Sequence, residues 1–225
     1  MTSAEVKENE VEENGKIVES SPPVQIKKHP LKREWTYWYL NDDRMMRWED
    51  RLKSICTFGT VEDFWALYNN IKLPSQINVT CDYNVFKKEI EPMWEVPENL
   101  NGGRWLINID KSRGSEIMDI IWLEILLAMI GEQFGEDMEN ICGLVANVRA
   151  KGSKISVWTR DRENDASNMR IGNIIKQKLL TAPTSERVQG PIFDVIKYEG
   201  HDACQHKTSS SVKSRLTISS VEGKE

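Results

Sequence analysis

The chain has 225 residues, of which 39% are hydrophobic and 29% are charged, and its formal net charge is -5 at pH 7. This length predicts one domain or at most two small ones, and no apolar run is long enough to form a membrane-spanning helix. The negative charge argues against binding nucleic acid through bulk electrostatics alone, so any such contact must be local and chemically specific. The composition is otherwise ordinary for a globular protein, except for its eight Trp residues.

The beginning of the chain is polar and acidic. Residues 1–28 contain no aromatic residue and more Glu than Lys, so we expect a disordered tail that buries too little apolar surface to fold. The tail lacks the apolar centre of a secretory signal peptide. We therefore expect an ordered domain over 29–219, a short extension over 220–225, and a cytoplasmic location.

The cysteines fit this location. They are far from one another and have no His at metal-ligand spacing, so we expect reduced thiols and no zinc site. These residues are Cys56, Cys81, Cys142 and Cys204.

After the tail, the sequence alternates short strands and helices. Strands rich in aromatic or β-branched residues are predicted, in chain order, over 34–40, 80–86, 104–110, 141–149, 154–159, 192–198 and 215–218. Thr60 and Asp63 resemble a capping pair that opens a helix over 61–72. Ser115 is predicted to cap a long apolar helix that ends near Gly131, and apolar residues at helical spacing predict another over 165–180. This order predicts an α+β domain with a mostly antiparallel sheet backed by about three helices.

Most of the Trp residues fall inside these elements and are expected in the core, namely Trp35, Trp38, Trp105, Trp122 and Trp158.

Two Trp residues lie outside the predicted elements, each directly before a glutamate. Trp48 and Glu49 are in a polar connection, and Trp94 and Glu95 are in a segment flanked by Pro. An indole on a loop either packs down on its own domain or binds a ligand. Two facing indoles stack on a flat ring and attract it more strongly if it is cationic, and a carboxylate accepts two parallel N–H donors. The combination favours a methylated guanine, although spacing alone does not rank Glu49 against Glu95.

Three cations lie around one predicted hairpin turn in this acidic chain: Arg149, Lys151 and Lys154. They predict a local phosphate site. The alternative is a solvated surface turn.

A second surface is predicted on two of the helices. The helix after Thr60 carries one apolar stripe, and Val61 and Trp65 lie partly outside it. The long helix that follows is apolar nearly all round, so it buries a second face or offers it to a partner. Two such helices suit an amphipathic partner helix, and the alternative is a deeper core.

Several longer stretches carry a family resemblance. They are HPL at 29–31, TVEDFWALYN at 60–69, EPMWE at 91–95, GGRWLI at 102–107, WLE at 122–124 and NVRAKG at 147–152. At these residues the sequence resembles the eukaryotic translation initiation factor 4E family of messenger-RNA cap-binding proteins. The resemblance implies a curved antiparallel sheet with three helices on its convex face.

The resemblance also implies roles for single residues. Trp48 and Trp94 would stack on the 7-methylguanine of the cap, Glu95 would bind its edge, and Trp158 would touch the methyl group. Arg149 and Lys154 would hold the phosphates, with Lys151 nearby. Secondary contacts are implied for Glu49, Arg104 and Lys207, and regulatory phosphorylation for Ser210.

The implied function is to start cap-dependent translation by recruiting scaffold factor 4G, at a surface that 4E-binding repressor proteins share. The implied contacts are His29, Pro30, Val61, Trp65, Leu123, Glu124, Leu127 and Gly131. An alternative is a cap-binding isoform that represses translation or stores messenger RNA. An enzyme is disfavoured because no nucleophile with a partnered base and no carboxylate cluster stands out, and no cofactor is expected.

Overall fold

The structure, a computed structural model, describes residues 27–43, 45–186, 188, 190–202 and 214–221. The side chains of Trp48, Glu49 and Lys111 lie outside this description. The predictions for Cys204, Lys207 and Ser210, and those for most of the acidic tail and the terminal extension, also fall on residues outside it.

A single antiparallel sheet organises the described residues. Its eight strands are β1 (Pro30–Leu40), β2 (Leu52–Thr60), β3 (Asp82–Lys87), β4 (Gly103–Ile109), β5 (Ile141–Asn147), β6 (Ser153–Thr159), β7 (Val195–Gly200) and β8 (Leu216–Ser219). Their order across the sheet is β2-β1-β3-β5-β6-β4-β7-β8. The helices are α1 (Trp48–Arg51), α2 (Val61–Tyr68), α3 (Pro97–Leu100), α4 (Ser115–Ile130) and α5 (Asp165–Leu180). The curved sheet and its helices form one domain, which confirms the predicted α+β class.

Alternation along the strands separates the two faces of the sheet. On β6, Ile155 and Val157 are buried in the main core, whereas Trp158 points to the opposite face. The main core also contains buried residues of α2, α4 and α5, including Phe64, Trp122 and Ile171. The three longer helices therefore cover one face, and the other face is left to line a cavity.

Shifts of register accompany the bending of this sheet. The β1–β2 ladder shifts between Tyr37 and Trp38, and the β5–β6 ladder shifts between Ile141 and Gly143. Such irregularities bend a strand and increase its twist. At the second of them a Cβ on Gly143 would lie 2.4 Å from Cγ of Phe86, so the absence of a side chain lets the ring of Phe86 lie directly on β5.

Three elements escaped prediction, and one predicted cap is wrong. β2 lies at the edge of the sheet, and exposed residues such as Lys53, Ser54 and Thr57 weaken its apolar pattern. α1 and α3 have four residues each, too few to show a helical period. Ser115 is the first residue of α4 rather than its cap, since Gly114 occupies that position with φ of +85°.

The contact between α5 and the sheet depends on one glycine. Trp105 donates its indole N–H to the carbonyl of Asn168 at 2.8 Å, and a Cβ on Gly172 would lie 2.3 Å from the Trp105 ring. We expect Gly172→Ala to lower the free energy of unfolding by about 1–3 kcal/mol, because overpacking a filled core forces side chains or backbone to move. Urea denaturation measures this. The exposed Asn173→Ala of the same helix is the control, and equal stability of the two variants would contradict the prediction.

The structure describes three of the four cysteines that were predicted to be reduced thiols. Cys56, Cys81 and Cys142 are free, and burial raises the pKa of Cys142 to about 11.

In the part of the chain that the structure describes, no group of three or more His, Cys, Asp or Glu side chains is arranged to hold a metal ion. Of the helices described, none has the length and apolar character needed to cross a membrane.

Candidate functional site

A cavity of about 430 Å³ opens on the face of the sheet opposite the helices. Side chains from β1 to β6 and from the loop before α3 line it. Six of the predicted site residues lie in this lining: Trp94, Glu95, Arg104, Arg149, Lys154 and Trp158. Residues that are far apart in the sequence thus meet in one concave site.

The connection that carries Trp48 starts and ends at this cavity. Leu40 and Leu52 are paired neighbours at the ends of β1 and β2, and both line the cavity. The backbone of Trp48 begins α1 within the connection between them. Because the side chains of Trp48 and Glu49 are not described, their roles stay predictions.

One wall of the cavity is aromatic. Trp158 is buried, with 4% of its surface exposed, and its ring lies edge-on to Phe86 with centroids 5.4 Å apart. Trp94 is partly exposed, and its ring centroid is 6.2 Å from that of Trp158. The two indoles offer apolar surface to a flat ligand, while the exposed Glu95 places a carboxylate beside Trp94.

A buried histidine lies against this wall. The ring of His201 is stacked on Trp94, with centroids 6.2 Å apart and planes 13° apart, and its centroid is 4.3 Å from that of Trp158. Burial, assisted by the positive charge of Arg104, lowers the pKa of His201 to about 3. His201 is therefore neutral near pH 7. No motif in the sequence marks His201 as a site residue.

The opposite end of the cavity is basic, and one of its cations is held by an acid. Arg149 donates from Nη1 to Oδ1 of Asp82 at 2.5 Å and from Nη2 to Oδ2 at 3.1 Å. This bidentate pair orients the guanidinium, and the Arg149 side chain remains 40% exposed. Lys154 also lines the cavity, whereas Lys151 is exposed in the turn and lies outside the lining.

Arg104 lies at the cavity as half of a buried ion pair. It faces Glu199 across the β4–β7 ladder and donates to Oε1 of Glu199 from Nε at 2.9 Å and from Nη2 at 2.5 Å. Only 11% of Arg104 and 7% of Glu199 side-chain surface is exposed. The pairing compensates the arginine charge, and a water-mediated phosphate contact from Arg104 stays a prediction.

The helix side of the molecule carries a second candidate surface, formed by Val61, Trp65, Leu123, Glu124, Leu127 and Gly131, which we call the helix-side surface. Val61 is 39% exposed and Trp65 is 36% exposed. Leu123, Leu127 and Gly131 follow one another at four-residue spacing, and each keeps some exposure. Such spacing aligns residues along one side of a helix.

Trp65 is supported from below by its own helix. Its ring lies edge-on to Phe64 and Tyr68, at centroid distances of 4.9 and 5.8 Å, and both of these residues are buried. The indole is thus held in place while part of it stays accessible. An apolar side chain of this kind is typical of a contact residue in a protein interface.

The start of β1 is fixed beside the start of α2. His29 contacts Glu62 through Nδ1 at 2.6 Å and donates its backbone N–H to the same carboxylate at 2.8 Å, while its carbonyl accepts from Val61 N at 2.9 Å. These hydrogen bonds lower the pKa of Glu62 to about 2. His29 and Pro30 remain exposed, next to the helix that carries Trp65.

Comparisons with known proteins give a consistent result. The family model described as "Eukaryotic initiation factor 4E" matches residues 30–216. Eukaryotic translation initiation factor 4E-1 of Caenorhabditis elegans is 62% identical over 192 residues, which are 85% of this chain and 90% of that protein.

Solved structures agree in fold as well as in sequence. Initiation factor 4E-3 of Ascaris suum in a crystal structure with an m2,2,7G cap is 48% identical, with a TM-score of 0.74, and the match covers 85% of this chain and 99% of that one. The crystal structure of Ascaris suum 4E-3 with an m7G cap is 46% identical, with a TM-score of 0.74, and the match covers 85% of this chain and 98% of that one. Initiation factor 4E-3 of C. elegans, in complex with the 4E-binding protein Mextli and a cap analog, is 44% identical with a TM-score of 0.74, covering 85% of this chain and 100% of that one. This chain belongs to the eukaryotic initiation factor 4E family.

Proposed function

We propose that this chain binds the 7-methylguanosine cap of messenger RNA in the cavity and recruits a scaffold initiation factor of the 4G type through the helix-side surface. The observation that carries the proposal is the meeting of Trp94, Trp158, Glu95, Arg149 and Lys154 in one cavity. An aromatic wall, a carboxylate and a basic end match the ring, the edge and the phosphates of the cap in that order. The related Ascaris protein was solved with such caps.

The assignments within the site follow from chemistry. Trp94, with Trp48 as its facing partner, stacks on the methylated base, which is cationic and therefore attracted to indoles. Glu95 accepts two N–H groups of the guanine edge, Trp158 lies against the methyl group, and Arg149 and Lys154 bind phosphate oxygens. Lys151 is assigned to the phosphate end beside them. Glu49, Arg104 and Lys207 are assigned secondary contacts, and Ser210 the regulatory phosphorylation.

The proposed partners are capped messenger RNA, the scaffold factor and 4E-binding repressor proteins. Mextli is such a binding protein of the related C. elegans factor. Exposed Val61 and Trp65 favour recruitment over the alternative of a factor that only represses or stores messenger RNA. We propose binding without catalysis or cofactor, and, since translation takes place there, a cytoplasmic location.

A titration tests cap recognition. We expect 7-methyl-GTP to quench the Trp fluorescence at concentrations where GTP does not, because only the methylated base is cationic. Glu95→Ala should weaken binding and reduce the preference for 7-methylguanine over methylated adenine. Equal affinity for GTP and 7-methyl-GTP in the wild-type protein would refute the proposal.

The basic end permits a separate prediction. Lys154→Ala should lower the affinity for 7-methyl-GTP by about 1–2 kcal/mol, as expected for one charge-assisted contact that is partly exposed. The affinity for 7-methylguanosine without phosphates should stay unchanged, and the effect should shrink at high salt because screening weakens the contact. Lys176→Ala on α5 serves as the control for loss of one positive charge. An equal loss for the nucleoside would place Lys154 elsewhere than at the phosphates.

A further inference from the structure

Trp94 poses a positional problem, because it lies in the loop between β3 and α3 rather than on a strand or helix. An indole that stacks on a ligand must keep its plane and its depth before the ligand arrives, since ordering a loop upon binding costs affinity. The structure shows two buried side chains, neither of them in the cavity lining, that hold Trp94 from behind.

The first of these is Asn99, which fixes the backbone that leads into Trp94. Asn99 lies on α3 and is fully buried, with 0% of its surface exposed. Its amide nitrogen donates to the carbonyl of Glu91 at 3.0 Å and to that of Met93 at 2.7 Å. The backbone N–H of Asn99 in turn donates to Val96 at 2.9 Å. Both sides of Trp94 are therefore tied to the same short helix.

Both N–H donors of this amide are used. A side chain with two donors on one nitrogen is needed to serve two carbonyls at once, and a carboxylate of the same size cannot do so. The Oδ1 atom of Asn99 is buried without a hydrogen-bond partner among the described residues. Leaving an acceptor unpaired is costly, and the two donated hydrogen bonds offset that cost.

The second side chain is His201, which supports the ring of Trp94. It is 1% exposed, its plane is within 13° of that of Trp94, and its ring centroid lies 4.3 Å from that of Trp158. Its backbone N–H donates to Gly102 at 3.1 Å, and a Cβ on Gly102 would lie 3.1 Å from the His201 ring. Neither ring nitrogen has a hydrogen-bond partner among the described residues. The His201 ring therefore contacts Trp94 and Trp158 as a flat aromatic group and not through hydrogen bonds of its nitrogens.

The charge state of His201 suits this position. Burial is the largest influence and opposes protonation, as do the charges of Arg104 and Arg162. The charges of Glu199 and Asp202 favour protonation, but the pKa is lowered overall. A neutral ring behind Trp94 leaves the indole face free to attract a cationic base. A protonated ring would compete for the same π electrons and repel that base.

We propose that Asn99 and His201 are positioning residues that hold Trp94 ready to stack, Asn99 by fixing the loop backbone and His201 by fixing the plane of the indole. The inference rests on the proposed function, because it concerns the same cavity. Neither residue is part of the cavity lining.

The test compares 7-methyl-GTP affinities of variants in the full chain. Asn99→Ala and Asn99→Asp should each bind at least tenfold more weakly. His201→Ala should bind about fivefold more weakly, His201→Phe should return to within twofold of wild type because it restores a flat neutral ring, and His201→Leu should not, although it fills space. The exposed neighbour Asn101→Ala is the matched control and should bind as wild type.

Two further measurements separate positioning from general damage. Binding of a scaffold-type helical peptide to the helix-side surface should be unchanged in every variant that folds. Near-ultraviolet circular dichroism should change in Asn99→Ala and His201→Ala and recover in His201→Phe, because it reports the mutual orientation of the indoles. If Asn99→Ala loses peptide binding and so proves unfolded, Asn99→Ser, which cannot reach both carbonyls, is judged by the same tenfold criterion.

The outcomes distinguish a failure of the proposed function from a failure of the positioning role. A wild-type protein that does not prefer 7-methyl-GTP over GTP refutes the proposed function. A wild-type preference, together with affinities of the folded Asn99 and His201 variants within twofold of wild type, refutes the positioning role alone. Equal recovery by His201→Leu and His201→Phe refutes the role of the flat ring.

Discussion

Replacing Trp94 by Ala is expected to weaken the binding of 7-methyl-GTP by about 2–3 kcal/mol, which is roughly 30- to 150-fold. Base stacking on an aromatic side chain contributes about 1–3 kcal/mol, and the positive charge of the methylated base adds a cation–π attraction of about 1 kcal/mol. Trp94 is partly exposed, so the substitution removes ligand contacts with little loss of core packing.

The measurement is a titration followed by the remaining Trp fluorescence and repeated by calorimetry, because the variant lacks one of the reporting indoles. Trp94→Phe, which keeps an aromatic face, should retain most of the affinity. Binding of a scaffold-type peptide should be unaffected. An affinity of Trp94→Ala within twofold of wild type would remove Trp94 from the site.

Replacing Trp65 by Ala is expected to reduce the affinity for an amphipathic partner helix by about 2–4 kcal/mol, the range for a central aromatic residue of an interface. Trp65 is 36% exposed and rests on the buried rings of Phe64 and Tyr68. The 7-methyl-GTP affinity should change by less than about 0.5 kcal/mol, because distant sites on opposite faces of the sheet act independently.

Peptide binding by calorimetry and cap binding by fluorescence measure these two effects in the same preparation. Leu180→Ala is the matched control, since Leu180 is an apolar residue that is 46% exposed at the end of α5. If the cap affinity of Trp65→Ala collapsed together with peptide binding, Trp65 would be a core residue and the helix-side surface would have to lie elsewhere.

Local patterns in the sequence were enough to predict much of this fold. α5 was predicted at its observed bounds, because amphipathic spacing is visible within one helix. Most strands of the sheet and the hairpin that carries Arg149 and Lys154 were predicted within a few residues, since strand composition and turn residues are local signals. The edge strand β2 and the one-turn helix α3 were not predicted, because neither has a clear pattern of apolar residues.

The candidate site divides in the same way. The sequence alone marked Trp94 and Glu95, because an indole and a carboxylate on a Pro-flanked loop are conspicuous, and the family motifs placed them in a role. It could not indicate that Asp82 holds Arg149 or that Glu199 holds Arg104. Those pairs join different strands, so they depend on strand order and register.

Tertiary structure also decided which polar residues stand behind the cavity. Asn99 is an ordinary residue of a short helix in the sequence, and His201 follows a strand without any motif. Their positions arise because α3 folds back under the loop before it and because β7 pairs with β4, which brings His201 against Trp94 and Trp158. Residue types and the local spacing of apolar residues determine which helices and strands form. Contacts between elements that are distant in the sequence determine which side chains support the site.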